Sequence, residues 1–430
     1  MNYYSLNKNA PNTSFKDAVI KGLAPDKGLY FPETITPLPK SFWNNFDNLS
    51  YSEIAFEAIK QFVSPEIPEA TLKTIVKETL SFDFPVVKLN DNISTLELFH
   101  GPTMAFKDVG ARFMARCLGY FNKDNTNEVT VLVATSGDTG GAVANGFLGV
   151  KGVNVVILYP SGKVSDIQEK QLTTLGQNIK ALEVNGTFDD CQAMVKTAFL
   201  DDSLTSNMQL TSANSINVAR WLPQLFYFMF AYKQLHNKHK DIVFSVPSGN
   251  FGNVCAGMMA QQLGLPVKHF IASNNENNVV TRYLTSQVYE PKPSVQTISN
   301  AMDVGAPSNF IRIEEIYKNN FDALKGNLSS YSFSDDETKE AMIEIYNNYN
   351  YVADPHGAVG YLGCKAYLSG NPNAHCVFLE TAHPTKFLDV VETVIKEEQP
   401  LPEQIQAVMG KEKVAIKIST YEDLKIFLLK

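Results

Sequence analysis

Short apolar runs alternate with segments of helical periodicity along most of the chain. Six apolar runs predict β-strands, at residues 129–134, 153–159, 179–184, 242–246, 267–272 and 376–379. The segments that follow them space their apolar residues as helices do, at residues 137–148, 165–175, 188–199, 253–263 and 384–394. This alternation is typical of βαβ units built around parallel sheets.

The first part of the chain has a different pattern. Its apolar residues recur at helical intervals over residues 52–62 and 70–80, with turns between them. We therefore predict an α/β protein in which a largely helical N-terminal segment, residues 1–85, precedes two lobes with mainly parallel, doubly wound sheets, residues 86–235 and 236–430. Ligands of such folds bind in the loops that follow the strands.

Charge and hydropathy narrow the range of partners. The 430 residues carry 37 Lys and Arg against 45 Asp and Glu, a net charge of -8, and the basic residues form no cluster. We therefore expect no nucleic-acid partner and no anionic membrane surface. The most apolar stretch, residues 221–232, is too short to span a bilayer and contains a proline, so it predicts a buried helix.

The cysteines indicate a reducing compartment and no metal. There are five, an odd number, and none forms a C-x-x-C pair, so neither a disulfide framework nor a zinc site is predicted. Free thiols, together with an N-terminus that lacks the pattern of a secretory signal, predict a cytoplasmic protein. His236 and His239 have the spacing of metal ligands but lack a third ligand, so we predict no metal site.

Two glycine-rich loops follow predicted strands and open predicted helices. They are T-S-G-D-T-G-G at 135–141 and P-S-G-N-F-G-N at 247–253. Glycines let backbone N–H groups approach a ligand, and a helix N-terminus adds partial positive charge. Each loop therefore suits a carboxylate or a phosphate, although each could also be an ordinary strand-to-helix turn. The first loop lacks the spacing of a dinucleotide site and the lysine of a P-loop.

Two other segments carry candidate reactive or anion-binding groups. Lys107 follows a Gly-Pro turn and an apolar run, and such a setting lowers the pKa of a lysine amine and makes it a nucleophile. A solvated lysine at a helix start is the alternative. Asn214 and Ser215 would cap a helix that begins at residue 216. With Arg220 one turn further on, they suit a phosphate monoester, or else form a plain cap beside a surface arginine.

The C-terminal part of the chain adds two weaker candidates. Thr381 ends a predicted strand and offers a neutral hydroxyl, and His383 offers a titratable ring. A threonine at this position is more often a cap than a ligand contact. The segment 354–357, D-P-H-G, predicts an ordinary helix start with Asp354 as the N-cap and Pro355 in the first turn.

Taken together and in order, these motifs resemble those of a known family. The segments F-K-D at 106–108, T-S-G-D-T-G at 135–140, G-N-F-G-N at 249–253 and T-A-H-P-T-K-F at 381–387 resemble the pyridoxal-phosphate enzymes of the tryptophan-synthase-β type, fold type II. Within that superfamily, G-P-T-M-A-F-K-D-V-G-A-R-F at 101–113 and N-S-I-N-V-A-R at 214–220 are similar to signatures of the threonine synthases. The resemblance extends from about residue 5 to residue 395.

The resemblance implies a role for each motif. Lys107 would carry pyridoxal phosphate covalently, and Thr381 would hydrogen-bond its pyridine nitrogen. Asp138 stands where related enzymes often place an asparagine beside the cofactor's 3'-oxygen. The resemblance also implies that the cofactor phosphate would be bound by Gly249, Asn250, Phe251, Gly252 and Asn253. The substrate carboxylate would be bound by Thr135, Ser136 and Thr139. The substrate phosphate would be bound by Asn214, Ser215 and Arg220.

The implied reaction converts O-phospho-L-homoserine and water to L-threonine and phosphate, by γ-elimination and then β-hydration, as the last step of threonine biosynthesis. The implied assembly is a monomer or a homodimer. A serine or threonine dehydratase and a cysteine synthase are alternatives within the same fold, and neither needs a second phosphate site. A pyridoxal-binding regulator without turnover is an alternative of a different class.

Overall fold

A computed structural model describes residues 1–123, 128–238 and 241–430 of the chain. The strands in these residues are β1 Asn2–Ser5, β2 Thr13–Ser14, β3 Tyr30–Pro32, β4 Val86–Lys88, β5 Ile93–Glu97, β6 Val129–Ala134, β7 Val153–Pro160, β8 Ile179–Val184, β9 Gln209–Ser212, β10 Ile242–Pro247, β11 His269–Asn274, β12 Leu328–Ser332, β13 His375–Glu380 and β14 Ile416–Ile418.

The α-helices in the same residues are α1 Phe15–Lys21, α2 Lys40–Asn44, α3 Tyr51–Val63, α4 Glu69–Thr79, α5 Lys107–Asn122, α6 Asp138–Phe147, α7 Asp166–Thr173, α8 Phe188–Ala198, α9 Asp202–Thr205, α10 Val218–Trp221, α11 Leu225–Leu235, α12 Gly252–Gln262, α13 Val279–Ser286, α14 Phe310–Ile316, α15 Phe321–Asn327, α16 Asp335–Tyr349, α17 Pro355–Leu368, α18 Leu388–Ile395, α19 Glu403–Met409 and α20 Tyr421–Leu428. Short 3-10 helices lie at Phe46–Asn48, Leu222–Gln224, Asn300–Met302 and Pro384–Phe387.

Two mainly parallel sheets form the two lobes, as predicted. The first has the order β14-β8-β7-β6-β9, and all of its strand pairs are parallel. The second has the order β12-β11-β10-β13-β5-β4, and only its edge pair, β4 with β5, is antiparallel. Helices cover both sheets, because the strands inside each sheet are buried along nearly their whole length and need apolar cover on each face.

The sheets do not divide the chain where the predicted lobe boundaries lie. β4 and β5 come early in the chain but pair within the second sheet, where β5 lies beside β13. β14 lies near the C-terminus and returns to the first sheet beside β8. Local periodicity identifies a strand but not its neighbours in the sheet. The boundaries at residues 85 and 235 stay a prediction about domains; both large sheets cross the boundary at 235, and neither crosses the one at 85.

The N-terminal segment is largely helical, as predicted, and also contains a small sheet that was not. The helices expected over 52–62 and 70–80 are α3 and α4. Ser50 and Glu53 form a capping box that fixes the start of α3. The additional sheet, of order β2-β1-β3, is antiparallel, and its strands are only two to four residues long, too short to give a periodic signal.

The apolar stretch at 221–232 forms the buried helix that was predicted, with one interruption. Pro223 lies in the 3-10 turn between α10 and α11, where it breaks the helix into two pieces. Phe228 of α11 packs edge-on against Phe244 of β10, with ring centroids 5.0 Å apart. No helix in the described ranges is long and apolar enough to cross a membrane.

The cysteines and the histidine pair can be compared with their predictions. All five cysteines are free and buried. His236 lies 2.6 Å from an oxygen of Asp47, and His239 lies outside the described residues.

The predicted helix at 384–394 is divided into the 3-10 turn Pro384–Phe387 and α18.

Candidate active site

A cavity of about 650 Å³ gathers the predicted site residues where strands of both sheets end. Strand β6 reaches it from the first sheet, and β10 and β13 reach it from the second, so loops far apart in the sequence converge there. The predicted residues that line it are Lys107, Thr135, Ser136, Thr139, Asn214, Ser215, Arg220, Gly249, Asn250, Phe251, Gly252, Asn253 and Thr381. Asp138 is the exception, and it lies behind the cavity wall.

Backbone hydrogen bonds fix Lys107 relative to Thr381. The Phe106 N–H donates to the carbonyl oxygen of Thr381 at 2.8 Å, and the His383 N–H donates to that of Met104 at 3.0 Å. Lys107, the first residue of α5, therefore enters the cavity from a segment attached to the loop that follows β13. Burial lowers the pKa of the Lys107 amine, as the sequence predicted.

The loop at 249–253 presents unpaired amides to the cavity. Phe251 adopts a left-handed conformation, with φ of 61°, and Gly252 then begins α12. The Asn253 side chain closes the turn by donating to the carbonyl oxygen of Pro247 at 2.8 Å. Within the described part of the chain, none of the five amides donates a hydrogen bond to another protein group. Amides at the start of an eleven-residue helix form an anion site.

The loop at 135–141 is organised around the Thr135 hydroxyl. This oxygen accepts hydrogen bonds from the amides of Gly137 at 3.0 Å and Gly140 at 2.8 Å, so it shapes the loop from within. The amides of Ser136, Asp138 and Thr139 donate to no protein group among the residues described. They form a second group of free donors, at the N-terminus of α6. A substrate contact of the Thr135 side chain stays a prediction.

Gly137 is required by this loop for two reasons. Its φ of 143° lies in a region that side chains rarely adopt, and a Cβ there would lie 2.4 Å from Oε1 of Gln168. The Gln168 side chain in turn donates to Asp138 at 2.9 Å. The loop is therefore packed against α7 through a position that only glycine fits.

A buried arginine from the segment 214–220 also lines the cavity, together with Asn214 and Ser215. Arg220 is only 4% exposed, and its Nη1 donates to the carbonyl oxygen of Ala213 at 2.5 Å. Its Nε has no protein partner, and no carboxylate of the described residues lies within 4.0 Å of it. Burial lowers the pKa of Arg220 to about 10, so it remains a cation. The Ser215 hydroxyl, from the same segment, accepts from the Asn250 side chain at 2.9 Å.

The helix after this cluster begins later than was predicted. Asn217, rather than Asn214 or Ser215, is the N-cap of α10, and its side chain accepts from the amide of Ala219 at 3.0 Å. Its amide group also donates to the carbonyl oxygen of Val19 at 2.8 Å, a long-range contact that no local pattern reveals. Asn214 and Ser215 are therefore not used as caps, and both line the cavity.

Asp138 is held in a buried ion pair. Lys386 Nζ lies 2.6 Å from its carboxylate, and both side chains are almost fully buried. Burial alone would raise the pKa of Asp138, but the cations of Lys386 and Lys107 outweigh it and hold that pKa well below its usual range. Asp138 is therefore an anion behind the cavity wall.

Sequence reasoning missed two residues near the site. His356 lines the cavity, where its Nε2 accepts from the Ala301 amide at 3.2 Å and its Nδ1 lies 2.5 Å from Asp354. The helix start at 354–357 is as predicted, but a cap pattern does not reveal which cavity the next side chain reaches. Lys386 belongs to the segment 381–387 that carried part of the resemblance, and this was the feature of the sequence that could have identified it as a residue near the site.

These residues fit pyridoxal phosphate. The free amides at 249–253 suit its phosphate, the amine of Lys107 has a lowered pKa, and no protein partner occupies the Thr381 hydroxyl among the residues described. The fold and site thus define a pyridoxal-phosphate enzyme of fold type II. A family model for "Pyridoxal-phosphate dependent enzyme" matches residues 86–381. Models for "Threonine synthase N terminus" and "Threonine synthase, C-terminal" match residues 2–80 and 357–427.

Individual relatives agree with the family models. The chain is 45% identical to threonine synthase of Haemophilus influenzae over 406 residues, which are 94% of each chain. The crystal structure of threonine synthase from Escherichia coli superposes with a TM-score of 0.93 at 40% identity, covering 100% of this chain and 99% of that one. A pyridoxal-phosphate-bound threonine synthase from Brucella melitensis gives 0.92 at 34% identity, with 100% and 98% covered. The chain belongs to the threonine synthase family.

Proposed function

We propose that this enzyme converts O-phospho-L-homoserine and water to L-threonine and inorganic phosphate. The observation that carries the choice of substrate is Arg220, a buried cation that faces the cavity without a carboxylate partner among the described residues. Burying an unpaired charge is costly, so such a group is retained where a ligand supplies the counter-charge. A phosphate monoester is that ligand.

Three groups of residues would hold the cofactor. The amides of the 249–253 loop would bind its phosphate, Lys107 would attach to it covalently, and the Thr381 hydroxyl would meet its pyridine nitrogen. When bound, pyridoxal phosphate supplies an electron sink that stabilises negative charge beside the substrate's amino group. Thr381 is a neutral partner, so it leaves more of the control over protons to the side chains around the substrate.

Lys107 is suited to proton transfer at the substrate. Burial lowers the pKa of its amine, which favours the neutral form that can accept a proton. We assign Lys107 the removal of the proton at Cα and its later return. The hydrogen bond from the Phe106 amide to the Thr381 carbonyl supports this assignment, because it joins the segments of the two residues that would hold the cofactor.

The other donors would orient the substrate by its two anionic ends. The free amides of Ser136 and Thr139 would take the α-carboxylate, while Asn214, Ser215 and Arg220 would take the phosphate. Arg220 would also stabilise the phosphate as it leaves the γ-carbon, because negative charge grows on it during elimination. Water then adds at Cβ to give L-threonine.

The same cluster argues against the alternatives. A dehydratase or a cysteine synthase acts without a substrate phosphate and needs no unpaired arginine in the cavity. A regulator without turnover needs no amine of lowered pKa, whereas Lys107 has one. We further propose a cytoplasmic monomer or homodimer with no nucleic-acid or membrane partner. The five free, buried cysteines and the net charge of -8 support this.

One product assay tests the proposal. The purified, cofactor-loaded protein is incubated with O-phospho-L-homoserine, and phosphate, L-threonine and 2-oxobutyrate are measured together. Phosphate and threonine formed in equal amounts support the proposal. Phosphate with 2-oxobutyrate would indicate elimination without hydration, and no phosphate release would reject the substrate. The Lys107→Ala variant is the matched control for turnover that does not need the lysine.

A further inference from the structure

The ion pair between Asp138 and Lys386 lies directly behind the reactive lysine. Asp138 is the first residue of α6, and Lys386 comes from the 3-10 turn Pro384–Phe387 after β13. Their 2.6 Å contact therefore connects the two lobes across the back of the cavity. Neither side chain lines the cavity, so neither is placed to touch the substrate.

Both partners are held in place by further hydrogen bonds. Lys386 Nζ donates to the carbonyl oxygen of Thr103 at 2.8 Å, and Gln168 Nε2 donates to the same Asp138 oxygen that Lys386 contacts. Gln171 donates to the Thr103 carbonyl as well, at 3.2 Å. The Lys386 ammonium is thus fixed between a carboxylate and a carbonyl oxygen.

Three charged groups act on the Lys107 amine. Asp138 raises its pKa, whereas Lys386 and Arg220 lower it, in addition to the lowering caused by burial. Asp138 is the anion among the three, and an anion left unpaired near a buried lysine would hold that lysine in its charged form. A charged lysine can neither act as a base nor attach to a carbonyl carbon.

We propose that Lys386 is a positioning residue that engages Asp138 and so leaves Lys107 free to work as a neutral amine. The proposal rests on the role given to Lys107 above and assigns a cause to it. Lys386 acts through Asp138, not by contact with the substrate. A purely structural pair, which would only join α6 to the turn after β13, is the competing explanation.

The test measures the protonation of the Lys107 nitrogen in the cofactor-loaded protein. The pH midpoint of the cofactor's visible absorption is compared in the wild type and in Lys386→Met, Lys386→Arg, Asp138→Asn and the double variant Lys386→Met/Asp138→Asn. The acid limb of the kcat profile is recorded in parallel. Neither measurement should move if the pair is only structural.

We expect opposite shifts from the two single charge removals. Lys386→Met leaves Asp138 unpaired and should raise the midpoint and the acid limb by about one pH unit or more. Asp138→Asn should lower both, and the double variant should return close to the wild type. Lys386→Arg keeps the charge and should stay within about 0.3 pH units of it.

Several results would overturn the proposal. One is a pH midpoint of the cofactor absorption in Lys386→Met equal to that of the wild type. Another is an absorption band that does not titrate between about pH 5.5 and 10 in either the wild type or Lys386→Met. If Lys386→Met does not bind the cofactor, the Asp138→Asn variant alone is the test. A pH midpoint in Asp138→Asn equal to that of the wild type then rejects the inference. The absorption readout needs no phosphohomoserine, so failure of the proposed substrate and failure of this inference can be distinguished.

Discussion

The replacement Arg220→Gln tests the assignment of the phosphate site. Glutamine keeps a side-chain amide but removes the positive charge and shortens the reach toward the cavity. The wild-type guanidinium uses one Nη1 hydrogen bond on the Ala213 carbonyl, which leaves its other terminal N–H groups for a ligand. Its Nε is enclosed against Gly110 and is not counted. Up to two charge-assisted hydrogen bonds to phosphate are therefore at stake.

The expected loss follows from those two bonds. A hydrogen bond to a charged group contributes about 1.5 to 3 kcal/mol. We take the lower third of the summed range of about 3 to 6 kcal/mol, because Ser215 and Asn214 would still contact the phosphate in the variant. A loss of about 3 to 4 kcal/mol corresponds to a decrease in kcat/KM of roughly 150- to 1,000-fold, at about 1.36 kcal/mol for each factor of ten.

The assay is phosphate release from O-phospho-L-homoserine by the cofactor-loaded variant. Arg116→Gln is the matched control. Arg116 forms a partly exposed ion pair with Glu78 on α4, 2.8 Å apart, and donates to the Arg112 carbonyl, so its replacement should change kcat/KM less than about twofold. Deamination of L-threonine, an amino acid without phosphate, is measured alongside. Equal losses for both substrates, or an altered visible absorption of the cofactor, would remove Arg220 from the phosphate site.

Three other outcomes are expected. Lys107→Ala should abolish both the visible absorption of bound cofactor and turnover, and an active variant would contradict the assignment of the lysine. Gly137→Ala should lower the free energy of unfolding by about 1 to 3 kcal/mol in urea titrations, because the new Cβ meets Gln168 and φ is positive. Burial lowers the pKa of His383 to about 4 from 6.5, so its contribution to stability is lost as pH falls through this window. His383→Asn can keep the side-chain cap on Thr385 and should lose less stability between pH 6.5 and 4; equal losses would refute this.

Local sequence patterns predicted the parts of the site that lie within single loops. The loops at 135–141 and 249–253 each join a strand to a helix, so the residues that define their amides are consecutive. Lys107 was recognisable for the same reason, because its motif is unbroken. The convergence of these loops also followed from the fold class, since parallel strands bring their carboxyl ends to one edge.

Partners that are distant in the sequence were not predictable. Arg312 is fully buried, stacks over Trp221 with 4.3 Å between its guanidinium carbon and the ring centroid, and donates to the carbonyls of Ser215 at 3.2 Å and Ile216 at 2.6 Å. It shapes the phosphate cluster from outside the motif at 214–220. A lone arginine on an amphipathic helix resembles a surface residue until the tertiary contacts are known. The pairing of β5 with β13 was not predictable for the same reason, because strand order is decided by contacts between segments far apart along the chain.

The distribution of charge and of backbone amides around the cavity explains how a chain with a net negative charge would bind anions. Two of the three anionic groups would be held by backbone amides, whose partial charges are fixed by the helices α12 and α6 and do not change with pH. Of the charged side chains that line the cavity, Arg220 would lie beside the leaving phosphate and Lys107 would act in proton transfer. Among residues 1–123, 128–238 and 241–430, Asp138 is the carboxylate that raises the pKa of Lys107, and Lys386 forms an ion pair with it. With Asp138 paired in this way, Lys107 could serve as the single amine that removes a proton and returns it, as proposed above.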